Sequence, residues 1–260
     1  MTRINAKRSE IHSKHAAGVS KPIGKGTCAS TEFSLEVGVN GCRFSIRNSA
    51  NSRSRVTLTG DLQIPPKSRG LVLFAHGSGS SHRSPRNQAV AEMLRNAGMG
   101  TLLFDLLSPA EETEDAYTGH LRFDIGLLSR RLAIVTQEIA DDQRIEGTGF
   151  GYFGASTGGA AALRAAAALG EKVEAVVSRG GRPDLTGDAV RRVIAPTLLI
   201  VGEYDEDVLR LNEAAYGQLR CEKSLAIVPR ATHLFEEPGA LEEVGRLAAE
   251  WFQKHFRPRS

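Results

Sequence analysis

The chain has 260 residues, of which 41% are hydrophobic, and its formal net charge is +3. That length and apolar content suffice for one substantial buried core. No apolar run is long enough to cross a bilayer and the basic N-terminus lacks the hydrophobic segment of a secretory signal, so we expect neither a membrane protein nor a secreted one. Three scattered cysteines, Cys28, Cys42 and Cys221, fit reduced thiols of a cytoplasmic protein better than a disulfide framework or a zinc site.

The positive charge is concentrated at the start of the chain. Residues 1–55 hold ten basic and three acidic side chains, whereas the remaining residues hold 23 basic and 27 acidic ones. The main body is therefore mildly acidic, which argues against nucleic-acid binding by the whole chain. Residues 1–30 have no hydrophobic period, and we predict a disordered basic leader there, with an organelle transit segment as the alternative.

The next part of the chain carries the alternating pattern of antiparallel strands. Apolar side chains take every second position over residues 33–39 and 42–46, and Asn40-Gly41 favours a two-residue hairpin turn between them. A further extended segment is predicted over 56–64. The chain is thus predicted to divide into a leader at 1–30, a β-hairpin extension at 31–55 and a catalytic domain at 56–260.

From residue 70 onward, short apolar runs alternate with amphipathic segments. Short apolar runs bounded by turn residues predict strands, and apolar positions recurring every three to four residues predict helices. Their alternation indicates the α/β class, with a mostly parallel, doubly wound sheet and antiparallel strands at its start. Strands are predicted over 71–75, 101–104, 149–153, 173–178, 197–201 and 224–228, helices over 85–97, 124–140, 157–169, 206–219 and 239–256, and a polar loop over 108–122.

The sequence Gly154-Ala-Ser156-Thr-Gly158 stands between a predicted strand and an alanine-rich helix. Gly-x-Ser-x-Gly in this setting is typical of a nucleophile elbow, a sharp turn that leaves the serine hydroxyl exposed at its apex. The pattern alone is weak evidence, because short glycine and serine patterns arise by chance. Its place between strand and helix makes Ser156 a candidate nucleophile.

Chemically useful residues follow three other predicted strands, where ligands of such sheets bind. Asp205 and His233 come after the serine in chain order, which is the order of a Ser-Asp-His triad in this class of sheet. We therefore predict Ser156 as the nucleophile, His233 as the general base and then acid, and Asp205 as the group that orients the imidazole. Asp207 competes with Asp205 but is assigned to the next helix turn.

A loop rich in small residues, His76-Gly-Ser78-Gly-Ser80, follows the first parallel strand. The backbone N–H groups of Ser78 and Thr157 are predicted to form the oxyanion hole of the same site. Asp105 also follows a strand, but it precedes the serine and is out of order for the triad.

Five motifs lie at or near the ends of the predicted strands. They are His76-Gly-Ser-Gly-Ser80, Ser84-Pro-Arg-Asn87, Tyr152-Phe-Gly-Ala-Ser-Thr-Gly158, Ser178-Arg-Gly-Gly-Arg-Pro-Asp184 and Thr232-His-Leu-Phe-Glu236. In these motifs the chain, from about residue 56 to residue 256, resembles the dienelactone hydrolase-like branch of the α/β-hydrolases. The resemblance implies an α/β-hydrolase fold and an esterase-type activity. Dienelactone hydrolase itself uses a cysteine nucleophile, whereas position 156 is serine, so the lactone substrate of that enzyme is not implied.

The pocket is predicted to be shallow, because the short segment between the strands at 173–178 and 197–201 leaves no room for a large cap domain. Its boundaries are predicted to be the loops at 79–87, 108–122 and 179–190. Arginines on these loops suit a substrate carboxylate or phosphate, although structural ion pairs with Asp124, Asp184 or Asp188 are the simpler interpretation. The candidates are Arg86, Arg122, Arg179 and Arg182.

The sequence thus predicts a cytoplasmic serine hydrolase that cleaves a small ester, lactone or thioester through an acyl-enzyme. We expect no cofactor and no metal, since no cluster has ligand spacing. The expected partner is a small ester-type molecule rather than nucleic acid or a membrane, and the protein is expected to be a monomer or homodimer. The alternatives are an acyltransferase with the same triad, a catalytically silent binding protein of this fold, and nucleic-acid binding through the leader.

Overall fold

A computed structural model describes residues 32–38, 41–47, 55–142, 145 and 147–257. The chain divides into two compact units, residues 1–30 and residues 31–260. The first unit, and with it the predicted leader, lies outside the described residues. Within the described part, no helix is long and apolar enough to cross a membrane.

The second unit is built on a nine-stranded sheet with the order β1-β2-β3-β5-β4-β6-β7-β8-β9. Strands β1 to β3 are antiparallel to their neighbours, and all other neighbouring pairs are parallel. This confirms the predicted α/β class and its antiparallel start. The strands are β1 Glu32–Gly38, β2 Gly41–Arg47, β3 Arg55–Gln63, β4 Gly70–Ala75, β5 Gly100–Phe104, β6 Gly149–Ala155, β7 Val173–Arg179, β8 Thr197–Gly202 and β9 Lys223–Val228.

The first two strands form a hairpin whose register pairs Gly38 with Gly41. Gly41 therefore belongs to β2 rather than to the turn, and residues 39 and 40 lie outside the described residues. Strand β2 also pairs with β3, and residues 60–63 of β3 pair with β5. The hairpin thus extends the sheet from its antiparallel edge.

Within the described residues, α-helices pack on both faces of the sheet. They are α1 Pro85–Asn96, α2 Pro109–Thr118, α3 Ile125–Ala140, α4 Thr157–Leu169, α5 Glu206–Gln218 and α6 Ala240–His255. One face packs against α3 and α4, and the other packs against α1 and α6, each through its own buried apolar cluster. The alanine-rich α4 lies close to the sheet, since Ala160, Ala161 and Ala162 have no exposed surface.

The prediction of a polar loop over residues 108–122 is wrong, because this segment contains helix α2. Ser108 and Glu111 form a reciprocal capping box at its start, Pro109 takes the first helical position, and Gly119 ends it with a left-handed φ of 67°. These signals are present in the sequence. The segment nevertheless has few apolar side chains and exposes most of its surface, as a polar loop does.

The prediction of a loop at 179–190 is only partly right. A 3₁₀ segment, Pro183–Arg192, occupies most of it and is kinked at Gly187, where φ is 62°. No cap domain is inserted between β7 and β8, whose connection is fully described. The carboxyl ends of β4, β6, β7 and β8 therefore meet at an edge of the sheet that is covered by short segments alone.

Candidate active site

Ser156 lies at the sharp turn between β6 and α4. Its φ of 51° and ψ of −120° fall outside the regions that L-residues ordinarily occupy, so the turn stores backbone strain. Backbone hydrogen bonds hold the turn in place: the N–H of Ser156 donates to the carbonyl of Arg179, and its carbonyl accepts from Gly159 and Arg182. The turn thus has the geometry of a nucleophile elbow.

The glycines on either side of Ser156 allow the elbow to pack closely. A Cβ on Gly158 would overlap the carbonyl oxygen of Ala75 at the end of β4, and one on Gly154 would lie 2.5 Å from the carbonyl oxygen of Gly158. Neither obstacle is a flexible side chain that could move aside. Both positions therefore require glycine, as the sequence pattern predicted.

Asp205 and His233 form a hydrogen-bonded pair beyond β8 and β9. The Nδ1 of His233 lies 2.5 Å from Oδ2 of Asp205, and the carboxylate is 14% exposed while the imidazole is 36% exposed. Since a carboxylate accepts, Nδ1 carries the proton and Nε2 remains free to act as a base. Asp207 instead pairs with Arg210 on the surface of α5, so the contact to His233 belongs to Asp205.

The serine and the histidine approach the same short segment at the end of β7. The carbonyl of Arg179 accepts the Ser156 N–H at 3.2 Å. A Cβ on the adjacent Gly180 would lie 3.4 Å from Nδ1 and Cε1 of His233. The structure therefore brings Ser156, Asp205 and His233 to the same edge of the sheet.

His76 holds the loop that follows β4. Its Nδ1 contacts the carbonyl of Gly77 at 3.0 Å, and its Nε2 accepts the N–H of Leu106 at 3.1 Å. A nitrogen that accepts carries no proton, so the imidazole is neutral, and burial lowers its pKa accordingly. These two contacts hold Gly77 close to the elbow. A Cβ on Gly77 would lie 3.1 Å from the Cβ of Ser156.

The two predicted oxyanion donors, the N–H groups of Ser78 and Thr157, belong to segments that contact each other, and the Ser78 N–H already makes a hydrogen bond. The N–H of Ser78 donates to Oγ1 of Thr157 at 2.9 Å. Thr157 is also the first residue of α4, so its own N–H points out of the positive end of that helix. The Ser78 N–H is thus occupied by the threonine hydroxyl in this structure.

A second Asp-His pair, formed by Asp105 and His82, lies near the site. Asp105, at the end of β5, accepts the N–H of His82 at 2.8 Å and lies 2.6 Å from its Nδ1. The two residues are 23 positions apart, and no local motif links them. The pair fixes the loop between β4 and α1 to the end of β5, beside His76.

A cavity of about 580 Å³ adjoins the elbow. Residues of the segments 76–86 and 107–122 line it, as does Thr157. The segment 179–190 was predicted to bound the pocket, but it contributes no residue to this lining. Glu112 lines it as well, and burial together with the nearby charge of Asp105 raises the pKa of this carboxyl group. The lining thus combines charged side chains such as Glu112 and Arg86 with apolar ones such as Leu107.

The four candidate arginines differ in their partners. Arg122 donates to the buried carboxylate of Asp115 at 2.5 Å, and Arg182 donates twice to Asp184 at 2.7 and 2.9 Å. Arg86 donates to Glu236 at 2.7 Å. Nε and Nη1 of Arg179 are buried and have no hydrogen-bond partner in the described part of the chain.

Among the residues that the structure describes, no group of three or more histidine, cysteine, aspartate or glutamate side chains is arranged to hold a metal ion.

Two curated relatives match the chain over 201 residues at 54% identity. They come from two strains of Mycobacterium tuberculosis, CDC 1551 and H37Rv, and are provisionally named phosphoribosyl transferases. The match covers 77% of this chain and 44% of each relative, so the chain spans less than half of their length. No family model matches the chain.

Solved structures give a second comparison. A dienelactone hydrolase from Anabaena variabilis is 52% identical, with a TM-score of 0.77, over 87% of this chain and 99% of that one. A monoacylglycerol lipase from Paleococcus ferrophilus is 20% identical, with a TM-score of 0.62, over 76% of this chain and 99% of that one, and shows a shared fold. The chain therefore belongs to the dienelactone hydrolase-like family of α/β-hydrolases.

Proposed function

We propose that this chain is a serine hydrolase that cleaves a small carboxylic ester, lactone or thioester through an acyl-enzyme. The observation that carries the proposal is the strained Ser156 at an elbow, beside an Asp205–His233 pair at 2.5 Å. Membership of the dienelactone hydrolase-like family supports ester cleavage.

In this mechanism the Nε2 of His233 takes the hydroxyl proton of Ser156 as the oxygen attacks the substrate carbonyl. The resulting imidazolium is stabilised by the Asp205 carboxylate. It then gives the proton to the leaving alcohol or thiol, and an ester bond to Ser156 replaces the substrate ester bond. A water molecule, deprotonated by the same imidazole, releases the acid and restores the serine.

Negative charge develops on the carbonyl oxygen during both steps. The N–H of Thr157, at the start of a 13-residue helix, would stabilise that charge. The N–H of Ser78 would join it once the Thr157 hydroxyl rotates, since the two groups are 2.9 Å apart before that rotation. All of these groups belong to the chain itself, so the mechanism needs no cofactor.

The transferase name of the mycobacterial relatives is not carried over to this chain. The matched segment makes up 44% of each of those proteins. The same chain covers 99% of a dienelactone hydrolase at similar identity. Hydrolase chemistry is thus the activity to assign to the shared segment.

Labelling with a fluorophosphonate probe tests the nucleophile. The parent and Ser224→Ala, which removes a serine from the edge strand β9, should label, whereas Ser156→Ala should not. Asp205→Asn should lower kcat/KM for a 4-nitrophenyl ester by about 10⁴. The matched Asp207→Asn, on the exposed side of α5, should stay within a few-fold of the parent. Equal labelling of parent and Ser156→Ala would refute the proposal.

A second measurement separates hydrolysis from acyl transfer. The products of a 4-nitrophenyl ester are analysed with and without butanol. We expect the free acid as the main product in both cases. A butyl ester that dominates at low butanol concentration would instead favour an acyltransferase with the same triad.

A further inference from the structure

The loop between β4 and α1, residues 76–84, carries the Ser78 N–H on its exposed middle. Ser78 and Gly79 are exposed, and a Cβ on Gly79 would meet no atom within 4 Å. The Ser78 N–H bonds the Thr157 hydroxyl in this structure, and in the proposed mechanism it exchanges that partner for the substrate oxygen. Neither packing nor this bond therefore fixes the donor during the reaction, and its position depends on the two ends of the loop.

Both ends of the loop are attached to the two residues that follow β5. At the first end, Nε2 of His76 accepts the N–H of Leu106 at 3.1 Å. At the other end, His82 makes two hydrogen bonds to Asp105, from its backbone N–H at 2.8 Å and from Nδ1 at 2.6 Å. The two attachments enclose Ser78 and converge on one dipeptide.

Asp105 is itself held firmly. It directly follows β5, which lies between β3 and β4 in the sheet. Its N–H donates to the carbonyl of Thr59 in β3 at 3.0 Å. The side chains of Asp105 and His82 are only 13% and 10% exposed, and hydrogen bonds to a carboxylate are stronger where water is excluded. The pair is therefore a rigid attachment between the sheet and the loop.

His82 is separate from the reacting groups. Among the described residues, its neighbours Ser81 and Arg83 line the cavity and His82 does not. It is His233 that approaches the segment holding Ser156. His82 and Asp105 can thus act on the chemistry only through the loop that they hold.

We propose that Asp105 and His82 are positioning residues, which hold the Ser78 N–H where it can stabilise the oxyanion formed at Ser156. The inference rests on the proposed function. A donor to an oxyanion acts only when it is correctly placed, and a displacement of about 1 Å costs about a hundredfold in rate. A loop attached at the His76 end alone would leave the Ser78 N–H free to move away from that place.

Two substitutions of nearly equal shape test the attachment. His82→Asn places an amide nitrogen where the imidazole has Nδ1, so it keeps the bond to Asp105, whereas His82→Leu removes that donor. For a 4-nitrophenyl ester, His82→Leu should lower kcat by about tenfold to a hundredfold and leave KM within about twofold. His82→Asn should stay within about threefold of the parent. His120→Leu, at an exposed histidine bonded to Thr118, should leave both constants unchanged.

A thiono ester distinguishes a displaced oxyanion donor from a general loss of structure. Sulfur replaces the carbonyl oxygen in this substrate, and sulfur is a weak hydrogen-bond acceptor. The ratio of kcat/KM for the oxo ester to kcat/KM for the thiono ester therefore reports the oxyanion donors. His82→Leu should lower this ratio by about tenfold, and His82→Asn should keep it.

Backbone amide exchange measures the loop without turnover. Hydrogen–deuterium exchange over residues 77–81 should be several-fold faster in His82→Leu than in the parent, while exchange over helix α4 stays unchanged. Gln88→Leu releases only the bond from the Gln88 amide to the His82 carbonyl, which is 2.7 Å long. It should change the exchange and the ester ratio in the same direction by less, and it serves if His82→Leu does not fold.

The outcomes keep the two proposals apart. The positioning role is refuted if His82→Leu turns over the oxo ester like the parent, if both esters lose rate equally, or if exchange over residues 77–81 is unchanged. A parent that hydrolyses neither ester would refute the proposed function instead. Faster exchange in His82→Leu would then still show that the pair holds the loop.

Discussion

Replacing Arg179 by methionine measures what its unpaired charge costs the fold. The pKa of Arg179 is lowered to about 10, against about 12.5 for an arginine in water, and each unit corresponds to about 1.4 kcal/mol. The charged side chain therefore destabilises the folded state by about 3 kcal/mol at neutral pH. The contact with the Phe235 ring offsets about 1 kcal/mol of this.

We expect Arg179→Met to be more stable than the parent by about 1–3 kcal/mol at pH 7. The charged form is the disfavoured one in the folded state, so the gain is complete at neutral pH and shrinks only as the pH rises through about 10. The melting temperature should rise by about 2–4 °C for each kcal/mol.

The control is the same substitution at Arg131, which is also buried but is paired with Glu111 at 2.5 Å. Breaking that pair leaves a carboxylate unpaired, so Arg131→Met should destabilise the fold by about 3 kcal/mol. Both variants are unfolded with urea in Tris-chloride, which supplies no multivalent anion, and only the midpoints should change. If Arg179→Met lowers the free energy of unfolding by 1 kcal/mol or more at an unchanged m-value, the guanidinium of the parent has a favourable partner and the reasoning fails.

Three further predictions concern the elbow and the pH dependence. Thr157→Val removes the acceptor of the Ser78 N–H. The free energy of unfolding, measured in urea, should fall by about 1 kcal/mol, and kcat should rise a few-fold. A tenfold fall in kcat would instead assign the hydroxyl a direct role in catalysis. Gly158→Ala should destabilise the folded state by about 2 kcal/mol or more and abolish labelling by the fluorophosphonate probe. Gly217→Ala, at a position with open space for an added Cβ, should leave the stability unchanged or raise it. Burial alone would raise the pKa of Glu111, but hydrogen bonds from its arginine partner outweigh burial and lower the pKa. Glu111→Gln should therefore lower the free energy of unfolding by about 1–2 kcal/mol at pH 7. A loss of stability that persists below about pH 3 would contradict the assignment.

The sheet and the elbow could be predicted because their signals are local. Each buried strand is a short apolar run, and helix α4 begins within one residue of Ser156. The positive φ of Ser156 follows from two glycines that leave room for a tight turn. Helix α2 shows the limit of this approach: its capping box was readable, but its exposed, polar surface resembled a loop.

The pairing of side chains depended on the fold and could not be predicted in the same way. Asp205 and Asp207 are two positions apart, and chain order alone does not decide which of them reaches His233. Asp105 had no place in the triad, and its partner His82 lies 23 residues away. In each case the contact follows from which strand ends are neighbours in the sheet.

The arginines illustrate why the same distinction matters for function. Sequence offered four equivalent candidates, and the contacts separate them by one criterion, whether the charge is already neutralised. Arg122 and Arg182 are held by carboxylates within the protein. Arg179 is more deeply buried than either and has no carboxylate partner in the described part of the chain. Since burial without a partner opposes folding, removal of the Arg179 charge should stabilise the fold, whereas removal of the charge of Arg122 or Arg182 leaves a carboxylate unpaired.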